Sequence, residues 1–297
     1  MELRRVVIGT DFSDSSVAAA RWTTAYFAKG AEVVLVHSIF VPTPPGFLRG
    51  RFPAPEALIA TAREGAEKRL RALAESLAPA VVQTEVRVGP AAEQIATAAK
   101  EHAADLVVVG KHGQRAGIWS RLGTTAEKLV TNSRAPVLVV PKVPAAAPKN
   151  ILVALEDPEE AVWVLDWLRY VVERFGARAT ALHVVSSAIL AGVLSVASDG
   201  PFHAEEVKSE IRGQSDQWRS RFEAAGVAAA AIDSELTFGE PGQEIVAAAD
   251  RLRSDLIVLG RERGGRARRA LLGSVTDEVL RAANCPVLVV AESDDAT

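Results

Sequence analysis

Between residues 106 and 130 the chain reads Leu106-Val107-Val108-Val109, then GKHGQRAGIWSRLGT from Gly110 to Thr124, then, after Thr125, Ala126-Glu127-Lys128-Leu129-Val130. A buried-strand run, a glycine-bearing loop and a helix start follow in that order. The chemistry this order supports is anion binding. A helix start presents unpaired N–H groups and the positive end of the helix dipole, and glycines let a loop backbone approach a ligand closely. Thr124 and Thr125 stand where a hydroxyl caps the helix or donates to a phosphate oxygen. Turn-forming glycines followed by a capping threonine would give the same pattern with no ligand. Two familiar phosphate loops are excluded, because the chain contains no GxxxxGK[ST] and no GxGxxG after the first strand candidate, Val6-Val7-Ile8. The spacing is instead Gly110, two residues, Gly113, nine residues, Gly123-Thr124.

Other chemistry is thin. There is no GxSxG elbow, no catalytic Cys–His pair and no acid pair in this loop. The five histidines are scattered without ligand spacing, so a protein metal site is not expected. The one cysteine, Cys285, precedes Pro286 and a strand-like run and reads as core. Thr10-Asp11, at the end of the first strand candidate, is the other polar pair placed for binding, although Asp11 would also serve as a helix-capping acid.

These residues need elements to hold them. A chain of 297 residues, 48% hydrophobic and 24% charged, suits about two soluble globular domains. No apolar run nears the length of a membrane helix, and the N-terminus has no signal-peptide pattern, so a cytoplasmic location and no membrane partner are expected. Residues 1–149 carry 19 Lys+Arg and 13 Asp+Glu, whereas 150–297 carry 15 and 24. That balance argues against a globally basic nucleic-acid binder and suits two halves that dock on each other. Apolar runs at Val6–Ile8, Glu32–Ile39, Val81–Val88, Leu106–Val109 and Pro136–Val140 alternate with helical patterns at Ser15–Ala28, Glu56–Leu77, Ala91–His102 and up to about Ser133. Five strands alternating with helices predict a doubly wound α/β domain with a parallel sheet.

The pattern then repeats. Gly89/Gly239, Ile95/Ile245, Asp105/Asp255, Gly110/Gly260, Gly123/Gly273 and Pro136/Pro286 all stand 150 apart. Earlier the offset shortens to 146 at His37/His183 and 145 at Val6/Ile151, placing length changes in loops such as Pro42–Pro55 against Ser186–Pro201. Two tandem domains are expected, 1–143 and 149–297, joined by the short linker 144–148.

The VVIGTDFS run, Val36-His37, ADLVVVGKHG, the G-x2-G-x9-G-[ST] spacing and APVLVVP resemble the universal stress protein family, in both halves. The resemblance implies two five-stranded parallel sheets flanked by helices and paired as an intrachain pseudo-dimer, with a further homodimer left open. It also implies that Thr10, Asp11 and the residues after His37 surround the adenine and ribose of ATP or another adenine nucleotide, with or without Mg2+. Gly110, Gly113, Gly123, Thr124 and Thr125 would hold ribose and phosphates.

The second half departs from this pattern. Gly260, Gly273 and Ser274 match, but Arg263 replaces Gly113 and Glu156 replaces Asp11. An L-residue costs about 1–2 kcal/mol if that glycine is left-handed, so the second site is read as altered or degenerate. The functional expectation is a stress-response regulator that binds adenine nucleotide mainly in its first half. Slow ATP hydrolysis at most, or a non-binding assembly scaffold, are the alternatives. His37 and His183 are read as packed at strand ends.

Overall fold

A computed structural model of the chain describes residues 2–41, 54–113, 122–141, 146–155, 162–187, 222–228, 231–261 and 273–292. The chain divides into two compact units, Glu2–Pro144 and Ala145–Thr297.

In the first unit the strands are β1 (Arg5–Gly9), β2 (Glu32–Ile39), β3 (Val82–Val88), β4 (Leu106–Gly110) and β5 (Val137–Val140). Their order is β3-β2-β1-β4-β5, and every neighbouring pair is parallel. The central strands are apolar without alternation because helices cover both faces. Val6, Val7, Ile8, Leu106, Val107 and Val108 have no exposed surface. The helices are α1 (Asp14–Trp22), α2 (Pro55–Glu75), α3 (Ala91–Glu101) and α4 (Thr124–Asn132). Ala66, Leu70 and Leu73 form the buried stripe of α2, spaced at 3–4 residues as an amphipathic helix requires.

The helix expected over Ser15–Ala28 is α-helical only to Trp22, and Thr23–Phe27 form a π-helical turn. The Thr24 hydroxyl donates to Ala20 O at 2.9 Å, a back-bond of the kind that bends helices. Widening the turn lets Trp22 and Phe27 both enter the core, with ring centroids 5.2 Å apart.

The second unit has β6 (Asn150–Ala154), β7 (Arg178–Ser186), β8 (Ile232–Gly239), β9 (Leu256–Arg261) and β10 (Val287–Ala291) in the order β8-β7-β6-β9-β10, again all parallel. Its described helices are α5 (Val162–Phe175), α6 (Pro241–Arg251) and α7 (Ser274–Ala282). Cys285 is half-buried rather than core, since it lies in the bend before β10.

Each unit ties the start of its first strand to the residue before its fourth. Asp105 Oδ2 accepts from the N–H groups of Arg4 (2.7 Å) and Arg5 (2.9 Å), and Asp255 Oδ2 from those of Lys149 (2.9 Å) and Asn150 (3.0 Å). Among the described residues no helix is long and apolar enough to cross a membrane.

Strand order turns at β1: β2 and β3 lie to one side, β4 and β5 to the other. In open α/β sheets the crevice beyond the carboxyl ends at such a turn is where ligands sit. Thr10 follows β1 there, and Lys111 follows β4.

Candidate functional site

The corner beyond β1 and β4 is built from three short backbone segments. Thr10 N–H extends the ladder to Val36 O (2.9 Å). The Thr10 hydroxyl, 5% exposed, accepts from Phe12 N–H (3.0 Å) and lies 3.0 Å from the Ser16 hydroxyl. Asp11 Oδ1 accepts from Ser13 N–H at 3.0 Å. Ser13, rather than Asp11, caps α1 by accepting from Ser16 N–H at 3.2 Å. These bonds close the turn tightly enough to put Phe12 in the left-handed region, at φ 62°, a conformation that costs a non-glycine residue about 1–2 kcal/mol.

The second segment follows β4. Gly110 lies against the start of α1, and a Cβ there would meet Ser15 C, Ser15 Oγ and Ser16 N, each at 2.8 Å. Lys111 N–H bonds Val140 O at 2.7 Å, and its side chain is buried. The Ser13 hydroxyl donates to His112 O at 3.3 Å, joining this segment to the first. A Cβ on Gly113 would lie 2.7 Å from Asp11 Oδ2. Its backbone is not left-handed, because no positive φ is found there. Glycine at 113 has a different reason from the one the sequence suggested: a side chain there would press on the Asp11 carboxylate and force it to shift.

The third segment is the start of α4. Gly123 N–H returns to Lys111 O at 2.8 Å, closing the loop whose residues 114–121 lie outside the described residues. Gly123 is the N-cap and no side chain caps the helix, so of the two roles open to the threonine hydroxyls, capping or donating to a phosphate, capping is not the one found. Thr124 and Thr125 occupy the first helical positions, Thr124 exposed and Thr125 half-buried. The first-turn N–H groups at such a start have no intrahelical partner. Thr10, Asp11, Gly110, Gly113, Gly123, Thr124 and Thr125 are thus gathered at one end of the sheet.

Several neighbours were not singled out from the sequence. Ser13 and Ser16 tie the first segment together, and the helix-start serine pattern was their only signal. His112 has Nδ1 buried with no hydrogen-bond partner among the described residues, and burial with the nearby Lys111 charge lowers its pKa, favouring the neutral imidazole. His37, by contrast, was read from the sequence as packed at a strand end; its Nδ1 lies 2.8 Å from Thr10 O, and since a carbonyl only accepts, that nitrogen carries the proton. Burial outweighs the bond and the Asp11 charge, and with the Arg69 charge lowers the pKa of His37.

The same corner of the second unit keeps the backbone and changes the side chains. Leu155 N–H bonds Leu182 O (3.2 Å) and His183 Nδ1 lies 3.1 Å from Leu155 O, matching Thr10 and His37. Leu155 has no hydroxyl to repeat the Thr10 bonds. Among the described residues, a Cβ on Gly260 would meet only Val164 Cγ2, at 3.1 Å, and one on Gly273 would meet nothing within 4 Å. Ser274 opens α7 after the N-cap Gly273. Glu156 and Arg263 lie outside the described residues.

The family model of the universal stress protein family matches residues 2–141 and again 148–291. The chain belongs to this family, with two of its domains in tandem. A universal stress protein of Mycolicibacterium smegmatis is 26% identical over 297 residues, covering 96% of each chain. One from Methanocaldococcus jannaschii is 33% identical over 142 residues, 48% of this chain and 81% of that protein. The solved universal stress protein of Archaeoglobus fulgidus DSM 4304 shares the fold at TM-score 0.68 and 21% identity, over 98% of this chain and 97% of that one. Tandem universal stress protein domains account for both sheets and for their common strand order.

Proposed function

We propose that the first domain binds an adenine nucleotide, ATP or a close relative of it, and that the protein is a regulatory module whose associations follow nucleotide occupancy. One observation carries this reading. The Asp11 carboxylate, the Gly110–Gly113 turn and the side-chain-uncapped start of α4 meet beyond β1 and β4, where strand order turns. The donor set fits the ligand. Helix-start N–H groups with the Thr124 and Thr125 hydroxyls suit phosphate oxygens, and Asp11 suits ribose hydroxyls. Thr10 and the end of β2 flank the base. Mg2+ would add charge neutralisation on the phosphates and keep most of its waters, needing only one or two carboxylates; Asp11 is the carboxylate of this corner.

The second domain is read as an altered site that holds nucleotide weakly or not at all. Gly260, Gly273 and Ser274 keep the loop frame, while Leu155, Glu156 and Arg263 replace Thr10, Asp11 and Gly113. The test is to denature freshly purified protein and to identify and count released nucleotide. About one adenine nucleotide per chain is expected. Two per chain would overturn the silent second site. None, with no thermal shift on adding ATP, would overturn the binding reading, since a ligand at 100 times its Kd stabilises by about 2.7 kcal/mol.

A further inference from the structure

We infer that Arg69 of α2 is a ligand-contacting residue of the first domain, stacking on the base side of the bound nucleotide. This rests on the adenine-nucleotide reading above. The Arg69 guanidinium carbon lies 4.0 Å from the centroid of the Phe12 ring. The Phe12 ring in turn lies 4.6 Å from the His37 ring, tilted by 36°. Three planar groups therefore stand in a row at the carboxyl ends of β1 and β2, beside Thr10 and Asp11.

Each member of the row is held. Phe12 is fixed by its left-handed backbone and by its N–H bond to the Thr10 hydroxyl. His37 is fixed through Nδ1–H to Thr10 O, which leaves Nε2 as the acceptor of the neutral ring. Arg69 is carried by a helix anchored at Ala66, Leu70 and Leu73.

What sets Arg69 apart is an aromatic contact combined with donors that nothing described uses. Arg63, on the same helix, spends Nη1 on Val86 O at 3.0 Å, and Arg87 is engaged by Glu85 and Glu101. Among the described residues Arg69 has a ring contact but no hydrogen bond and no ion pair. A guanidinium with one face on an aromatic ring has a second face and an edge of N–H donors to offer. A planar base with ring-nitrogen acceptors matches both. The row belongs to the first domain alone, because the residue corresponding to Phe12 in the second is Asp157.

The experiment is calorimetric titration of the full chain, wild type and R69A, with ATP, adenosine and tripolyphosphate, together with R69K. Arg69 is exposed, so melting temperatures close to wild type are expected. R69A should weaken ATP and adenosine by roughly 3- to 10-fold and leave tripolyphosphate unchanged. R69K, which keeps the charge and loses the planar fork, should stay close to R69A. If R69A binds ATP and adenosine as wild type does, Arg69 is outside the site and the nucleotide reading stands without it. A loss confined to ATP and tripolyphosphate would make Arg69 a phosphate clamp and overturn the base assignment. A wild type that binds neither ATP nor adenosine would remove the nucleotide reading and this inference together.

Discussion

The ends of β1 and β6 make the same backbone bonds with different side chains. Thr10 N–H reaches Val36 O and Leu155 N–H reaches Leu182 O, and a histidine nitrogen sits at each following carbonyl. Beyond that frame the two part. In the first domain the Thr10 hydroxyl, Ser13, Ser16, Asp11 and Gly113 form one polar knot. In the second, Leu155 and Val164 bring apolar surface to the matching places. Main-chain bonding specifies the fold in both copies and leaves the corner side chains free to diverge, so duplication of the fold does not by itself duplicate the chemistry.

The sharpest way to break this contrast is G113R, which copies the second domain into the first. A side chain at 113 enters the space of the Asp11 carboxylate. Binding should fall by about 100-fold or more, roughly 2.7 kcal/mol, while the reverse change, R263G, should leave the nucleotide count at one because Leu155 and Glu156 remain. A count rising to two in R263G would place the whole difference in that single residue. Next is a matched pair of glycine substitutions. In G110A the new methyl meets α1 backbone at 2.8 Å, whereas in G260A it meets one valine methyl at 3.1 Å. Thermal unfolding should report about 1–3 kcal/mol of destabilisation for the first and under about 1 kcal/mol for the second; equal effects would mean the two corners are equally tight.

A smaller effect is expected of T10L, which imports Leu155. It removes an acceptor from Phe12 N–H and the contact with Ser16, costing about 1–2 kcal/mol by chemical denaturation, and it should weaken nucleotide binding as the Asp11 turn loosens. The smallest effect is in pH. The pKa of His37 is lowered on folding, chiefly by burial. The unfolded chain therefore takes up a proton near its ordinary value of about 6.5 while the folded chain resists it. Stability should rise with pH across that interval and fall as pH drops below about 6.5, by at most about 1.4 kcal/mol per pH unit for this residue. H37N should reduce the slope in denaturant titrations at pH 5.5 and 7, leaving the part that His112 contributes in the same direction; an unchanged slope would assign it to His112.

How much of this was legible follows from what each feature depends on. The β2 run, Glu32–Ile39, appears with the same ends in sequence and structure, because a parallel strand buried on both faces is apolar through its centre, here residues 33–36. The repeat made the second sheet readable from the first. The corner was legible as a set of glycines, an acid and hydroxyls, but the reason for Gly113 was not, since steric contact with Asp11 is a tertiary fact with no local signature. The π-helical turn was hidden for a similar reason. Thr23–Phe27 has ordinary helical composition, and the widened turn answers to where Trp22 and Phe27 must pack. Arg69 lies on the exposed face of α2, where sequence patterning predicts a solvated charge and gives no sign of an aromatic ring 4.0 Å away.

The bond from Asp105 to the start of β1 spans 101 residues to Arg4 and 100 to Arg5. On a ribosome β1 emerges before β4, and neither this clasp nor its β4 neighbour exists until the intervening stretch has followed. At about 5–20 residues per second the wait is on the order of 5–20 s. The second copy repeats the arrangement across 106 and 105 residues to Lys149 and Asn150. Each half thus leaves synthesis with its central strand unclasped until late, and the nascent first sheet can close before the chain of the second has finished emerging.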